Sequence, residues 1–278
     1  MTAKMSTAEA IQQLRADPEN AELIRDAYLG EDTREAAERF ALSAEFGEVR
    51  AILGDRLAGV VLDLGAGTGI ASFALADSGA RVVYALDPDP SPVVGRGAIS
   101  RLGLDSIVPL EGFGEAIPLA SESVDVVYAR QVLHHTRDLE AVAREVQRVL
   151  RPGGVFLACR EHVVADEAAL EEFLASHPVH QLAGGEGAYP IDRYLGAMRA
   201  GGLRVRKVWR PLDSVINAFP LVRSSEELAS LRIELLGPRM GRLGGWTERL
   251  PVLGAGIRRR LAPYTGAGAM WSFLTSKP

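Results

Sequence analysis

The chain has 278 residues, 47% of them hydrophobic, enough to bury the core of one large α/β domain with a smaller cap. A net charge of -5 and a pI near 5.7 argue against a broad basic surface, so nucleic acid is not an expected partner and a small or neutral substrate fits better. The single cysteine, Cys159, excludes an intrachain disulfide; with no apolar run of membrane-spanning length and no signal-like N-terminus, the expectation is a cytoplasmic protein without stable membrane insertion.

Residues 6–53 read as helices. Ser6 with Glu9 and Asp32 with Glu35 have capping-box spacing, and apolar residues recur at helical intervals through "DTREAAERFALSAEFGEVRAIL". From Gly59 the pattern changes to short apolar strands, "GVVLDLG", "RVVYALD", "SIVPLEG", "VDVVYAR" and "GVFLACR", separated by helices near 69–79, 91–102 and 137–150. The last of these helices shows a buried face of Leu139, Val142, Ala143, Val146, Val149 and Leu150. Such alternation means a doubly wound sheet of parallel strands. Further on come a helix near 166–176, the loop "AGGEGAY", a helix near 190–200, a sixth strand "LRVRKVW" and a final strand "AMWSFLT". The stretch between those two strands carries helical signals at "SSEELASLRIELL" and "GIRRRLA". The expected organisation is an N-terminal helical cap over 1–55, a Rossmann-like core over 56–209, a cap insertion over 210–265 and the last core strand over 266–278.

The first strand runs into "VLDLGAGTG", with Gly65, Gly67 and Gly69 at alternate positions. Bare backbone after a buried strand is where a chain takes positive φ or lets a ligand come close. In doubly wound sheets the ligand sits beyond the carboxyl ends of the strands, and the first loop offers backbone N–H groups and a helix N-terminus. Asp87 ends the second strand about twenty residues on, where a carboxylate accepts ribose hydroxyls, so the ligand reads as a nucleoside. The dinucleotide spacing G-x-G-x-x-G is not met, because Ile70 stands at the third glycine. A nicotinamide-dependent oxidoreductase is therefore the weaker alternative.

These motifs together resemble the class I S-adenosylmethionine-dependent methyltransferases: "VLDLGAGTG" is similar to their first motif and "ALDPD" to their ribose-binding motif. The stretch "EAIPLASESVDVVYARQVLHHTRDLEAVAREVQRVLRPGGVFLA" is similar to their third to fifth strand region, and "AGGLRV" loosely to the start of their sixth strand. The resemblance implies a Rossmann-like sheet of seven strands with helices on both faces, and S-adenosyl-L-methionine as cofactor. It also implies that Gly65 and Gly67 lie against the methionine moiety with Asp63 helping to orient it, that Ala66 and Gly69 belong to the same cofactor-binding loop, that Asp87 holds the ribose and Pro88 packs near the adenine, and that the main chain at Arg130 faces the methionine amino group. Where the family often has "GDAE", this chain has "GFGE", which puts Gly112 and Phe113 at the adenine.

All five histidines fall between 134 and 180. A hydroxyl acceptor gains from a base, and histidine is the natural one near neutral pH. In caffeate-type O-methyltransferases the base lies in "V-L-H-D", and "VLHH" puts His134 on that position; packing at the cofactor site is the other role open to it. The fifth strand ends "CREH", where simple alternation pairs Cys159 with Glu161 and Arg160 with His162. Arg160, Glu161 or His162 could orient the base or bind substrate, with a solvated strand end as the other reading; Glu161 and His162 are the further catalytic candidates. His177 continues the face of Leu170, Phe173 and Leu174 and reads as structural. Glu161, His162, His177 and His180 could ligate a metal, but no pair has i, i+4 spacing and Pro178 interrupts; no metal is assigned, and activity is expected to survive chelation. The stretch "REHVVADEAALEEFLASHPVHQLAGGEGAY" resembles one in bacterial methyltransferases of surface-polysaccharide pathways.

Residues 232–260 hold seven arginines and two glutamates, which reads as a solvated cap surface, with an acidic or membrane-surface substrate as the alternative. The resulting expectation is O-methylation of a small-molecule or glycan hydroxyl with a histidine base. A protein that binds the cofactor without methylating stays open, and a homodimer is compatible with the sequence.

Overall fold

The computed structural model describes residues 5–236 and 269–278. Seven strands form one sheet: β1 (Val60–Leu64), β2 (Val82–Leu86), β3 (Ile107–Leu110), β4 (Val124–Arg130), β5 (Leu150–Val163), β6 (Arg204–Trp209) and β7 (Ala269–Ser276), in the order β3-β2-β1-β4-β5-β7-β6. The first five pair in parallel, and β7 runs antiparallel between β5 and β6. The central strands are apolar along their whole length because both faces are covered, as parallel strands require.

Four helices precede the sheet: α1 (Thr7–Ala16), α2 (Ala21–Asp26), α3 (Thr33–Ala41) and α4 (Ala44–Leu53). The capping box at Ser6 and Glu9 is formed in both directions, and Asp32 accepts from the amides of Arg34 and Glu35. Crossover helices α5 (Ile70–Asp77) and α6 (Leu139–Val149) flank the glycine loop and β4, and α6 buries the expected face. After β5 come α7 (Glu167–Ser176), α8 (Pro178–Leu182) and α9 (Ile191–Ala200); α10 (Val215–Ala218) and α11 (Ser225–Leu236) follow β6. The expected helix at "GIRRRLA" and the arginine-rich run beyond 236 lie outside the described residues. Of that run, Arg232 is buried and its Nε donates to the Leu212 carbonyl at 2.6 Å.

Two local expectations fail, each for a backbone reason. No α-helix spans 91–102; a 3-10 turn covers only Arg96–Leu102. Prolines at 90 and 92 have no amide to donate, and successive side-chain turns take up the amides around them: Asp87 accepts from Asp89, Asp89 from Ser91, and Ser91 from Val93. The alternation along "CREH" is broken by a bulge, since β5 pairs Ala158 with Phe273 and then Glu161 with Trp271, and Arg160 takes φ 60°. Cys159 consequently joins the core that holds Tyr28 and Phe219 and Arg160 lies on Phe219, while Glu161 and His162 both reach His134.

Candidate active site

A cleft of about 1000 Å³ opens at the carboxyl ends of β1, β4 and β5. One wall is the glycine loop, with Asp63, Gly65, Ala66, Gly67 and Thr68; the facing wall comes from residues 14–29, and the far end from the histidines, Glu186 and Met270. Gly65 has φ 68°, and a Cβ there would lie 2.6 Å from the Val132 side chain, so only glycine lets the loop pass. The loop presents bare backbone to the cleft, but its amides are used inside the protein, against the expectation of free N–H donors. Gly65 and Ala66 both donate to the Leu86 carbonyl, Gly69 to Ala66, and Gly67 to Asp87 Oδ2 at 2.8 Å. The left-handed residues turn these amides back toward the end of β2.

Asp63 is buried, accepts from Ser72 Oγ at 2.6 Å, and burial pushes its pKa up to about 7. Asp87, also buried, is raised by the same cause and accepts the amides of Gly67 and Asp89. Of the residues assigned to the cofactor, Asp63, Gly65, Ala66, Gly67 and Arg130 line the cleft. Gly69, Asp87, Pro88, Gly112 and Phe113 lie outside its lining, and Phe113 is exposed. At this end the cleft is bounded by Val94, whose carbonyl faces Gly67.

Two acidic residues missed in the sequence support the site: Glu186 lines the cleft, and Glu45 lies behind the Arg130 that does. Glu45 of α4, fully buried, clamps Arg130 with bonds of 2.6 and 3.1 Å and lies 3.9 Å from Arg160. Burial opposes the charge on Arg130, but Glu45 outweighs it and raises the pKa. The signal was there: Glu45 stands on the apolar stripe of Val49 and Leu53, where an acid needs a buried partner. Glu186, in the "AGGEGAY" loop, carries no comparable signal.

The three catalytic candidates do meet. His134, 3% exposed, places Nδ1 2.8 Å from Glu161 Oε2; a carboxylate only accepts, so Nδ1 donates, and Nε2 is turned to Glu186, which like His134 lines the cleft. Glu161 also accepts the amides of Val132 and His134, and this ring and these amides pull its pKa down against the effect of burial. The His162 ring lies 4.8 Å from that of His134 and 4.5 Å from that of Phe173. Glu186 Oε2 stands 3.6 Å from Nε2 of both His134 and His135. Burial would lower the pKa of His134, but Glu161 and Glu186 together push it up to about 9, while the imidazoles hold Glu186 down to about 2 despite its burial. His135, its Nδ1 3.1 Å from the Gly185 carbonyl, is lowered by burial and by His134. The cluster weighed from sequence does not assemble as a set: Glu161 turns to His134, and His177 caps α8 through its Nδ1. Buried Cys159 has its thiol pKa pushed up by the same dry surroundings and packs in the core.

Residues 62–158 match the family model described as a methyltransferase domain. The malonyl-[acyl-carrier protein] O-methyltransferase of Xylella fastidiosa is 35% identical over 106 residues, which are 38% of this chain and 36% of that one. The chain thus spans little more than a third of that curated relative's length. A geranyl diphosphate methyltransferase solved in complex with S-adenosylmethionine superposes with a TM-score of 0.58 at 14% identity, over 91% of this chain and 94% of its own. A [4+2]-cyclase, SpnF, gives 0.51 at 15% identity over 99% and 97%. Residues 62–158 thus match a methyltransferase domain of the class I S-adenosylmethionine-dependent kind, whose cofactor is S-adenosylmethionine, and the fold around them is that of the solved methyltransferases. The nicotinamide alternative falls with that assignment. Among the described residues, no helix is long and apolar enough to cross a membrane.

Proposed function

We propose that this protein methylates a hydroxyl oxygen of a small-molecule or glycan acceptor, with His134 removing the hydroxyl proton once it has given up its own, which Glu161 and Glu186 hold to a pKa of about 9. The observation that carries the reading is the buried His134–Glu161 pair at 2.8 Å, which fixes the ring with Nε2 turned to Glu186 in the cleft wall. Glu161 is the positioning residue; His162, on the same wall, is in place to contact the acceptor. The cofactor, when bound, supplies an electrophilic methyl group on a sulfonium that leaves as a neutral thioether, so the leaving side needs no acid.

The residues present fit that group. The bare loop at Gly65 and Gly67, the Asp63 carboxylate and Arg130 form the wall that would hold the methionine portion. Asp87 would hold the ribose by exchanging the Gly67 amide for the hydroxyls, with Pro88, Gly112 and Phe113 around the base and Gly69 closing the glycine loop. The protein's main contribution is to align acceptor and methyl donor and to exclude water beneath residues 14–29. The O-methyltransferase name of the Xylella fastidiosa relative supports oxygen as the acceptor atom. The compartment we propose is cytoplasmic.

A single-turnover assay with candidate hydroxyl acceptors tests the reading. His134→Ala should slow transfer by roughly 10²-fold or more while the affinity for S-adenosylhomocysteine holds. Full rate in the variant would remove His134 from the chemistry. The cyclase of the same fold favours one second reading, cofactor binding without methyl transfer. It is distinguished by the absence of any methylated product with every acceptor tried.

A further inference from the structure

We propose that His134, His135 and Glu186 form a binding site for a divalent transition-metal ion, with its open coordination position toward the cleft. This differs from the set weighed in the sequence, and it is carried by the orientation of three side chains. In each histidine, Nδ1 is tied to a group that can only accept: Glu161 Oε2 at 2.8 Å for His134, and the Gly185 carbonyl at 3.1 Å for His135. Both rings are therefore set with Nδ1 as donor, and both Nε2 atoms turn to one point, the Glu186 oxygen, 3.6 Å from each. A histidine whose far nitrogen donates to a carboxylate or carbonyl is the arrangement that orients imidazole on a metal.

The spacing fits an ion. At metal–ligand bonds of about 2.0–2.2 Å, ligand atoms of a tetrahedral site lie roughly 3.3–3.6 Å apart. The two Nε2 atoms and the carboxylate oxygen lie within 4.8 Å of one another, and a small shift of the half-exposed His135 ring closes the widest edge. The charge fits too: two carboxylates, Glu161 and Glu186, converge on these rings, so a cation at the Nε2 atoms takes the place of a proton there. Imidazole and carboxylate together suit zinc and its first-row neighbours better than magnesium or calcium. Three protein ligands with a fourth position open is the form of a site that takes up a substrate oxygen.

The role of the ion in transfer rests on the methyltransferase reading above; the site itself does not. An acceptor hydroxyl entering the open position would be acidified by the ion. Its O–H bond breaks, the electron pair stays on oxygen, and the proton passes to water in the cleft. In the metal-loaded protein His134 is a ligand and the ion acidifies the hydroxyl; in the metal-free protein His134 itself takes the proton. The acceptor class narrows to molecules whose reactive hydroxyl can approach a metal.

The test is metal binding by the full chain. After exhaustive chelation, the protein should take up one zinc ion per chain in equilibrium dialysis, and cobalt should give the visible absorption of a low-coordinate site. His135→Ala and Glu186→Gln, chosen because both residues are more exposed than His134, should each weaken zinc binding at least about ten-fold with unfolding curves close to wild type. Substoichiometric uptake, or equal binding by both folded variants, would overturn the site. Calorimetry of the chelated chain with S-adenosylhomocysteine checks the other reading independently. Loss of cofactor-product binding with zinc uptake intact would sink the methyltransferase proposal and leave the metal site standing.

Discussion

At the glycine end of the cleft the polar groups are already paired within the protein. The amides of Gly65, Ala66 and Gly67 go to Leu86 and Asp87, and what faces the cavity there is mostly backbone without side chains. At the histidine end, the arrangement is reversed. Two carboxylates and two imidazoles converge, and their pKa values are driven apart, His134 up to about 9 and Glu186 down to about 2. A wall that must fit one invariant cofactor can be made of shape. A wall that must change the charge of a reacting group needs charges that are left to respond to it.

The largest expected effect separates the two ends by stability. Glu161→Ala strips a buried imidazole and two buried amides of their acceptor and should cost roughly 3–5 kcal/mol in urea unfolding. A loss well under 1 kcal/mol would mean that the histidine end is not held from β5. At the other end, Asp87→Ala should weaken S-adenosylhomocysteine binding by roughly 2–4 kcal/mol, through the lost charge-assisted bonds to the ribose. Unchanged affinity in the folded variant would show that Asp87 serves only the Gly67 and Asp89 amides.

Asp63 sharpens the contrast through pH. Its pKa in the folded protein is about 7 against a usual value of 3.8, because burial disfavours the charge. Between these values the folded protein keeps a proton that the unfolded chain has released. The stability of the cofactor-free protein should therefore fall as pH rises from about 4 to 7, and level off above. Asp63→Asn should remove that slope, leaving the variant about 1–3 kcal/mol better placed against wild type at pH 8 than at pH 4.5. Parallel pH profiles for the two proteins would mean that Asp63 is ionised throughout. The smallest effect concerns the shared wall: S-adenosylhomocysteine should slow amide exchange within residues 14–29, as a segment that closes over a ligand would show. Equal exchange with and without it would describe a rigid, open cleft.

Much of the glycine end was legible because it depends on neighbours in sequence. A buried strand, glycines at every second position and an acid about twenty residues later encode a loop and its partner strand, and the structure joins Gly67 to Asp87. The strands of the sheet and the face of α6 followed from periodicity for the same reason. The bulge at Arg160 was hidden, since nothing in "CREH" marks a residue with φ 60°, and the pairing of β5 with β7 is settled more than a hundred residues away.

What the sequence determined by itself is the order of strands and helices, the glycine loop and the kind of ligand such a loop accepts, because hydrophobic period and backbone freedom are local properties. What only the tertiary structure decided is which charges meet. Glu45 reaches Arg130 from 85 positions before it, Glu161 reaches His134 from 27 after it, and Glu186 closes on both histidines from a loop with no pattern of its own. Electrostatic partners are chosen by distance in space and by the scarcity of water around them, and neither quantity is written in the spacing of residues along a chain.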